Sequence, residues 1–175
     1  MTEAVSIVRA AGAGEQLRFW GGGILTMKAS AAETDGAFML FEDHMAEGKT
    51  TPLHAHSNED EVLYVLDGEI LVHLDGQNHP IGPGAIAVAP RGVPHAFLVT
   101  SPTARVLCLQ VPGSAEAFYR GASEPAGADT NPAGPVDFDR VRQSAERSGG
   151  MQLLGPPPFE APKDATERAP GLAAR

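Results

Sequence analysis

Two short segments constrain this chain more than any other part of it. Residues 48–68 read G-K-T-T-P-L-H-A-H-S-N-E-D-E-V-L-Y-V-L-D-G, and residues 84–95 read G-A-I-A-V-A-P-R-G-V-P-H. Their glycines and prolines mark sharp turns at strand ends. Between those turns stand three histidines and a carboxylate: His54, His56, Glu61 and His95. Side chains two apart on an extended chain share a face, so His54 and His56 project together. Glu61 opens the apolar run 62–66 just beyond the turn-forming pair Ser57-Asn58, where a paired strand can bring its carboxylate back to the imidazoles. His95 follows the rigid turn 90–94 and starts another strand, which supplies a third imidazole. Three neutral nitrogens and one carboxylate oxygen suit one divalent transition metal, with one or two positions open for water or substrate. Manganese, iron, cobalt, nickel, copper and zinc all accept such donors, so the pattern leaves the element open.

The remaining chain reads as short strands punctuated by turns. An edge strand is expected at 5–8 and further strands at 17–20, 24–29, 37–45, 61–67, 69–75, 86–89, 95–100 and 104–111. Glu33-Thr34-Asp35-Gly36 reads as a hairpin turn. Gly21-Gly22-Gly23 reads as a bend between strands rather than a phosphate loop, because no helical pattern follows it. Regular short strands with Gly/Pro turns favour an all-β sandwich or barrel. Residues 114–120 read as a capped helical turn and 136–148 as an amphipathic helix ended by Gly149-Gly150. The expected divisions are an N-terminal segment 1–16, a β domain 17–112, a helical extension 113–150, and an extended tail 151–175 that contains three consecutive prolines.

At the two glycine-bounded segments the chain resembles the cupin superfamily. Its first motif is met by Gly48, His54, His56, Glu61 and Gly68, and its second by Gly84, Pro90, Gly92 and His95; Val99 departs from the asparagine usual there. Nine fixed positions at matching spacing carry far more weight than H-x-H alone. The resemblance covers roughly residues 17–112 and implies a jelly roll enclosing a ligand cavity. Only 15 residues separate Gly68 from Gly84, so no inserted lid is expected. Glu59 shares the parity of Glu61, but the spacing and the E-x-x-Y-V-L-x-G continuation favour Glu61 as ligand.

From F-W-G-G-G-I-L to V-P-G-S-A-E-A-F-Y-R the chain is further similar to small bacterial monocupins of the quercetin 2,3-dioxygenase-like group. That implies oxygenolytic ring opening of a flavonol or a similar enolic or phenolic compound by dioxygen at the metal. The same cage also serves isomerases, decarboxylases, cyclases and non-catalytic binders. Glu61 is the expected catalytic residue, acting as both ligand and general base. Strand parity nominates Leu63, Val65, Phe97 and Val99 as the substrate pocket, while Trp20, Phe38 and Phe41 are expected in the core and His44, His73 and His79 outside the site.

Charge sharpens the choice of partner. A net charge of −9 opposes nucleic acid and anionic membranes, so a small molecule is the expected ligand. No apolar run reaches the length of a membrane-spanning helix, and the first residues lack a signal-peptide pattern, so a cytoplasmic location is expected. The single cysteine, Cys108, is expected as a buried thiol, and a homodimer is expected to cover a sheet edge.

Overall fold

Alternation decides which way each strand faces, and two sheets follow from it. The computed structural model describes residues 5–19, 22–127 and 137–159. Its strands are β1 (Gln16–Phe19), β2 (Gly23–Ala29), β3 (Met39–Ala46), β4 (Leu53–His56), β5 (Asp60–Asp67), β6 (Ile70–Leu74), β7 (Gln77–Ile81), β8 (Ile86–Ala89), β9 (His95–Val99), β10 (Thr103–Val111), β11 (Ser123–Pro125) and β12 (Met151–Gly155). One antiparallel sheet has the order β11-β1-β2-β3-β10-β5-β8 and the other β12-β4-β9-β6-β7. This is the all-β jelly roll expected from the sequence, with two short helices, α1 (Glu116–Gly121) and α2 (Phe138–Ser148).

The core lies between the sheets. Met39, Phe41 and Met45 of β3, Leu63 and Val65 of β5, and Val106 and Cys108 of β10 face inward with Leu25, Ile70, Val72 and Val99. Truncating a side chain as buried as Leu25 to alanine costs about 2–5 kcal/mol in transfer and cavity terms. Three polar residues share this inward parity: Asp43 on β3, Glu61 on β5 and Gln110 on β10. Burial of such groups is costly unless they are partnered, so each marks a place where the interior has a use for polarity.

The helices pack on each other, α1 also against β11 and α2 against β12. Asp137 caps α2 by accepting from the Arg140 amide, and Gly149 (φ 72°) ends it in the left-handed conformation. Ser144 Oγ donates to the Phe118 carbonyl at 2.8 Å, tying α2 to α1. Among the described residues no helix is long and apolar enough to cross a membrane.

Several expectations need correction. Residues 5–8 form no strand; the edges of the larger sheet are β11 and β8. β7 was hidden by the polar run Gln77-Asn78-His79-Pro80, whose proline is tolerated because β7 is an edge strand. Asp75 and Gly76, both at positive φ, make the turn that joins it to β6. Met151–Gly155, expected as part of the tail, is a strand paired with β4, directly beside the histidines. Trp20, the start of the expected helix at Val136 and tail residues 160–175 lie outside the described residues.

Candidate metal centre

His54 and His56 come from β4, His95 from β9 and Glu61 from β5, so the two sheets each contribute to one cluster. His54 and His95 are directly opposite in the β4–β9 pairing. All four residues are buried, and one ligating atom from each lies within 4.8 Å of the others. The three imidazole centroids are 4.3 to 5.3 Å apart.

Backbone carbonyls orient two of the rings. His54 Nδ1 is 2.8 Å from the Pro52 carbonyl and His95 Nδ1 is 2.8 Å from that of Val93. A carbonyl only accepts, so each Nδ1 carries the hydrogen; His54 Nε2 is left with a lone pair, whereas His95 Nε2 carries a second hydrogen toward Glu61 Oε2 that a metal would displace. His56 Nε2 has no hydrogen-bond partner and lies 3.7 Å from Glu61 Oε2. An orphaned, buried ring nitrogen beside two others and a carboxylate fits a bound cation better than an empty core. The residues present therefore fit one metal ion.

Glu61 is held from both ends. Its Oε2 lies 2.8 Å from His95 Nε2, while Oε1 accepts from Gln110 Nε2 at 2.7 Å, Cys108 Sγ at 3.3 Å and Tyr119 OH at 3.4 Å. Burial by itself would raise the Glu61 carboxyl pKa, but the His95 hydrogen bond and the charges of His56, His95 and His54 overcome it and hold the group below the carboxylate range. Burial lowers His54 to about 3, with the neighbouring His95 adding to the effect, and burial lowers His56 too. His95 is the exception: burial opposes its charge, yet the bond to Glu61 raises it. The same Glu61 charge and burial push the Cys108 thiol and Tyr119 phenol well up, so both stay protonated donors.

Glu59 does not join the cluster. It sits behind His56, with Oε2 3.8 Å from His56 Nδ1 and Oε1 accepting from Ser114 Oγ at 2.5 Å. Parity placed it with Glu61, but it precedes β5 in the turn. His44, His73 and His79 are also outside the cluster.

A cavity of about 60 Å³ opens beside the four residues and is bordered by His54 and Glu61. Of the four residues nominated for a substrate pocket, Leu63 and Phe97 line this cavity, whereas Val65 and Val99 are buried in the core and do not. They share the inner face, but their own side chains pack into the core cluster while their cross-strand partners Val106 and Ile70 border the cavity. Phe41, expected only as core, borders the cavity, as do Asp43, Lys49 and Tyr119. Sequence reasoning missed Gln110, Tyr119, Asp43 and Lys49. A signal existed for Gln110 and Asp43, each a polar residue on the apolar parity of its strand; Lys49 and Tyr119 carried none.

Comparison with known proteins agrees with this geometry. The cupin domain family matches residues 41–111. Quercetin 2,3-dioxygenase of Bacillus subtilis (strain 168) is 28% identical over 145 residues, which are 82% of this chain and 43% of the relative. The chain thus spans less than half the length of that curated relative. Among solved structures, KdgF from Halomonas sp. superposes with a TM-score of 0.55 at 22% identity, covering 62% of this chain and 94% of that one. A predicted oxalate decarboxylase from Thermotoga maritima gives 0.54 at 21%, covering 61% and 99%. An RmlC-like cupin from Shewanella frigidimarina NCIMB 400 gives 0.55 at 20%, covering 64% and 95%. At these identities the structural likenesses speak for the fold alone.

Proposed function

The chain belongs to the cupin superfamily, and from that premise we propose that it is a metal-dependent dioxygenase acting on a small enolic or phenolic compound. The observation that carries this reading is the convergence of four buried ligating groups at the wall of an apolar cavity. The likeness to a quercetin 2,3-dioxygenase supports the choice of oxygen chemistry. His54, His56 and His95 through Nε2 and Glu61 through Oε2 would hold the ion. A divalent metal bound there would supply Lewis acidity and a meeting point for substrate oxygen and dioxygen.

The chain's own residues do the rest. Glu61 Oε2 is the oxygen that faces the histidines and is placed to take the proton of a substrate enol, because Oε1 is turned to Gln110, Cys108 and Tyr119. Accepting that proton at Oε2 would leave an electron-rich enolate, the form that reacts with dioxygen. Leu63 and Phe97 pack the ring, and the apolar walls keep bulk water from the reaction.

Oxygen uptake by protein purified with its native metal tests the reading, using single-ring hydroxypyranones, catechols and flavonols as substrates. Consumption that requires both metal and an enolic hydroxyl is expected. Product formation without oxygen consumption would transfer the protein to the non-oxidative cupins. Stoichiometric metal retained by His56→Ala after dialysis would overturn the site itself.

A further inference from the structure

Away from the four ligands, the same cavity contains a buried ion pair that this chemistry does not use. Lys49 Nζ lies 2.5 Å from Asp43 Oδ2, and the two side chains are only 3% and 9% exposed. Exchanging such a pair for apolar residues of similar volume is commonly neutral or stabilising, so stability alone gives little reason to place one in an apolar wall. Its hydrogen bonding is also incomplete. An ammonium has three donors, and among the described residues Lys49 Nζ donates only to Asp43. Asp43 Oδ1 accepts nothing. The ammonium is held 5.1 Å from the centroid of Phe19 and 5.9 Å from that of Phe97, a setting that fixes its direction without using its remaining N–H groups.

The pair also has a seat made for it. Gly23, at the start of β2, has ordinary strand geometry, yet a Cβ there would overlap both Lys49 Nζ and Asp43 Oδ1. The last glycine of the Gly21-Gly22-Gly23 run thus makes room for the pair. Along β10, Val106 pairs with Asp43 on one side, and four residues on Gln110 pairs with Glu61 on the other. The two levels are separated by ~13 Å of backbone, and Asp43, Lys49, His54 and Glu61 line one cavity.

We propose that Lys49 and Asp43 form a second substrate-recognition point, which binds a hydroxyl at the end of the ligand opposite its metal-chelating oxygens. The hydroxyl oxygen accepts from one of the unused N–H groups of Lys49 Nζ, whose charge Asp43 balances from the other side. The pair is neutral overall and adds no demand for a charged ligand. The ligand class is therefore a flat enolic chelator with a hydroxyl across the ring. This inference rests on the metal-chelate reading above and deepens it.

The test compares two hydroxypyranones that differ only at that far end, kojic acid, with a hydroxymethyl group, and allomaltol, with a methyl. Zinc-loaded protein, in which oxygen chemistry is silent, is titrated calorimetrically with each. Wild type is expected to bind kojic acid about tenfold or more tightly than allomaltol, the scale of a hydrogen bond to a charged group. Lys49→Met and the double variant Lys49→Met with Asp43→Leu should bind the two equally while keeping the affinity for allomaltol. The double variant removes both charges together and so avoids leaving one buried alone. Equal affinities in wild type, or a preference that survives in both variants, overturn the recognition point and leave the chelate reading intact. Allomaltol binding no tighter to zinc-loaded than to metal-free protein overturns the chelate reading, and this inference with it.

Discussion

His95 Nε2 and Glu61 Oε2 lie 2.8 Å apart, each from a different sheet, and each is a group that a metal ion would claim. Without metal this contact is a hydrogen-bonded ion pair that raises the His95 pKa. Metal must displace that proton, so uptake and protonation compete. Zinc affinity is expected to be full above the raised His95 pKa and to weaken as the pH falls through it. Chelator competition between pH 8 and pH 5.5 measures this, and an affinity independent of pH would contradict it.

The stability of metal-free protein should follow a related rule. His54, lowered to about 3, and His56, also lowered, stay neutral in the folded protein while the unfolded imidazoles protonate near about 6.5. Their stabilisation is present above that value and is lost as pH falls toward the folded one. His95 has the opposite sign, since its contribution is present below the unfolded value and disappears as pH rises through the folded one. Two lowered groups outweigh one raised group, so Tm of chelator-treated protein should drop by about 5 °C or more between pH 7.5 and pH 5. An unchanged or higher Tm at pH 5 would show that the histidines are not buried as described.

Glu61→Gln should retain some metal through the three histidines yet lose turnover by about 100-fold or more, the usual scale for a positioned base. Metal analysis and single-turnover rates on one substrate separate the two effects. Near wild-type turnover at full occupancy would place the base elsewhere.

Gln110→Leu tests the support behind that carboxylate. Gln110 is fully buried and supplies the 2.7 Å bond to Glu61 Oε1, so its loss should weaken metal binding by about 10–100-fold. Gln110→Glu should be worse, because a second carboxylate would face the first. Unaltered zinc affinity in both variants would mean that Cys108 and Tyr119 suffice.

A homodimer is expected to form through strand β8. Strand β8 is a sheet edge whose Ile86 and Val88 are exposed, and Tyr64 and Leu66 of its partner β5 are exposed alongside. An apolar, unpaired edge invites a second copy. Light scattering at micromolar concentration should give twice the chain mass, falling to the monomer in Ile86→Glu. A monomer in the wild type would refute it.

The candidate metal cluster was legible in the sequence because its geometry is local. His54 and His56 share a face by parity, and glycine and proline turns deliver Glu61 and His95 at characteristic spacings. The all-β fold was legible for the same reason, since alternation and turn chemistry operate over a few residues. Parity also says which side chains face inward, but not how close the two sheets come at each level. Leu63 and Phe97 border the cavity, whereas Val65 and Val99 on the same faces are packed solid. Only the tertiary structure brought Gln110 against Glu61, Tyr119 from a helix to the same oxygen, and Lys49 to Asp43 above a glycine. Strand β12 joined β4 in the same way, although its residues read as tail. These contacts link positions far apart in the chain, and what decides them is the low dielectric between the sheets, where a polar group settles where it finds a partner.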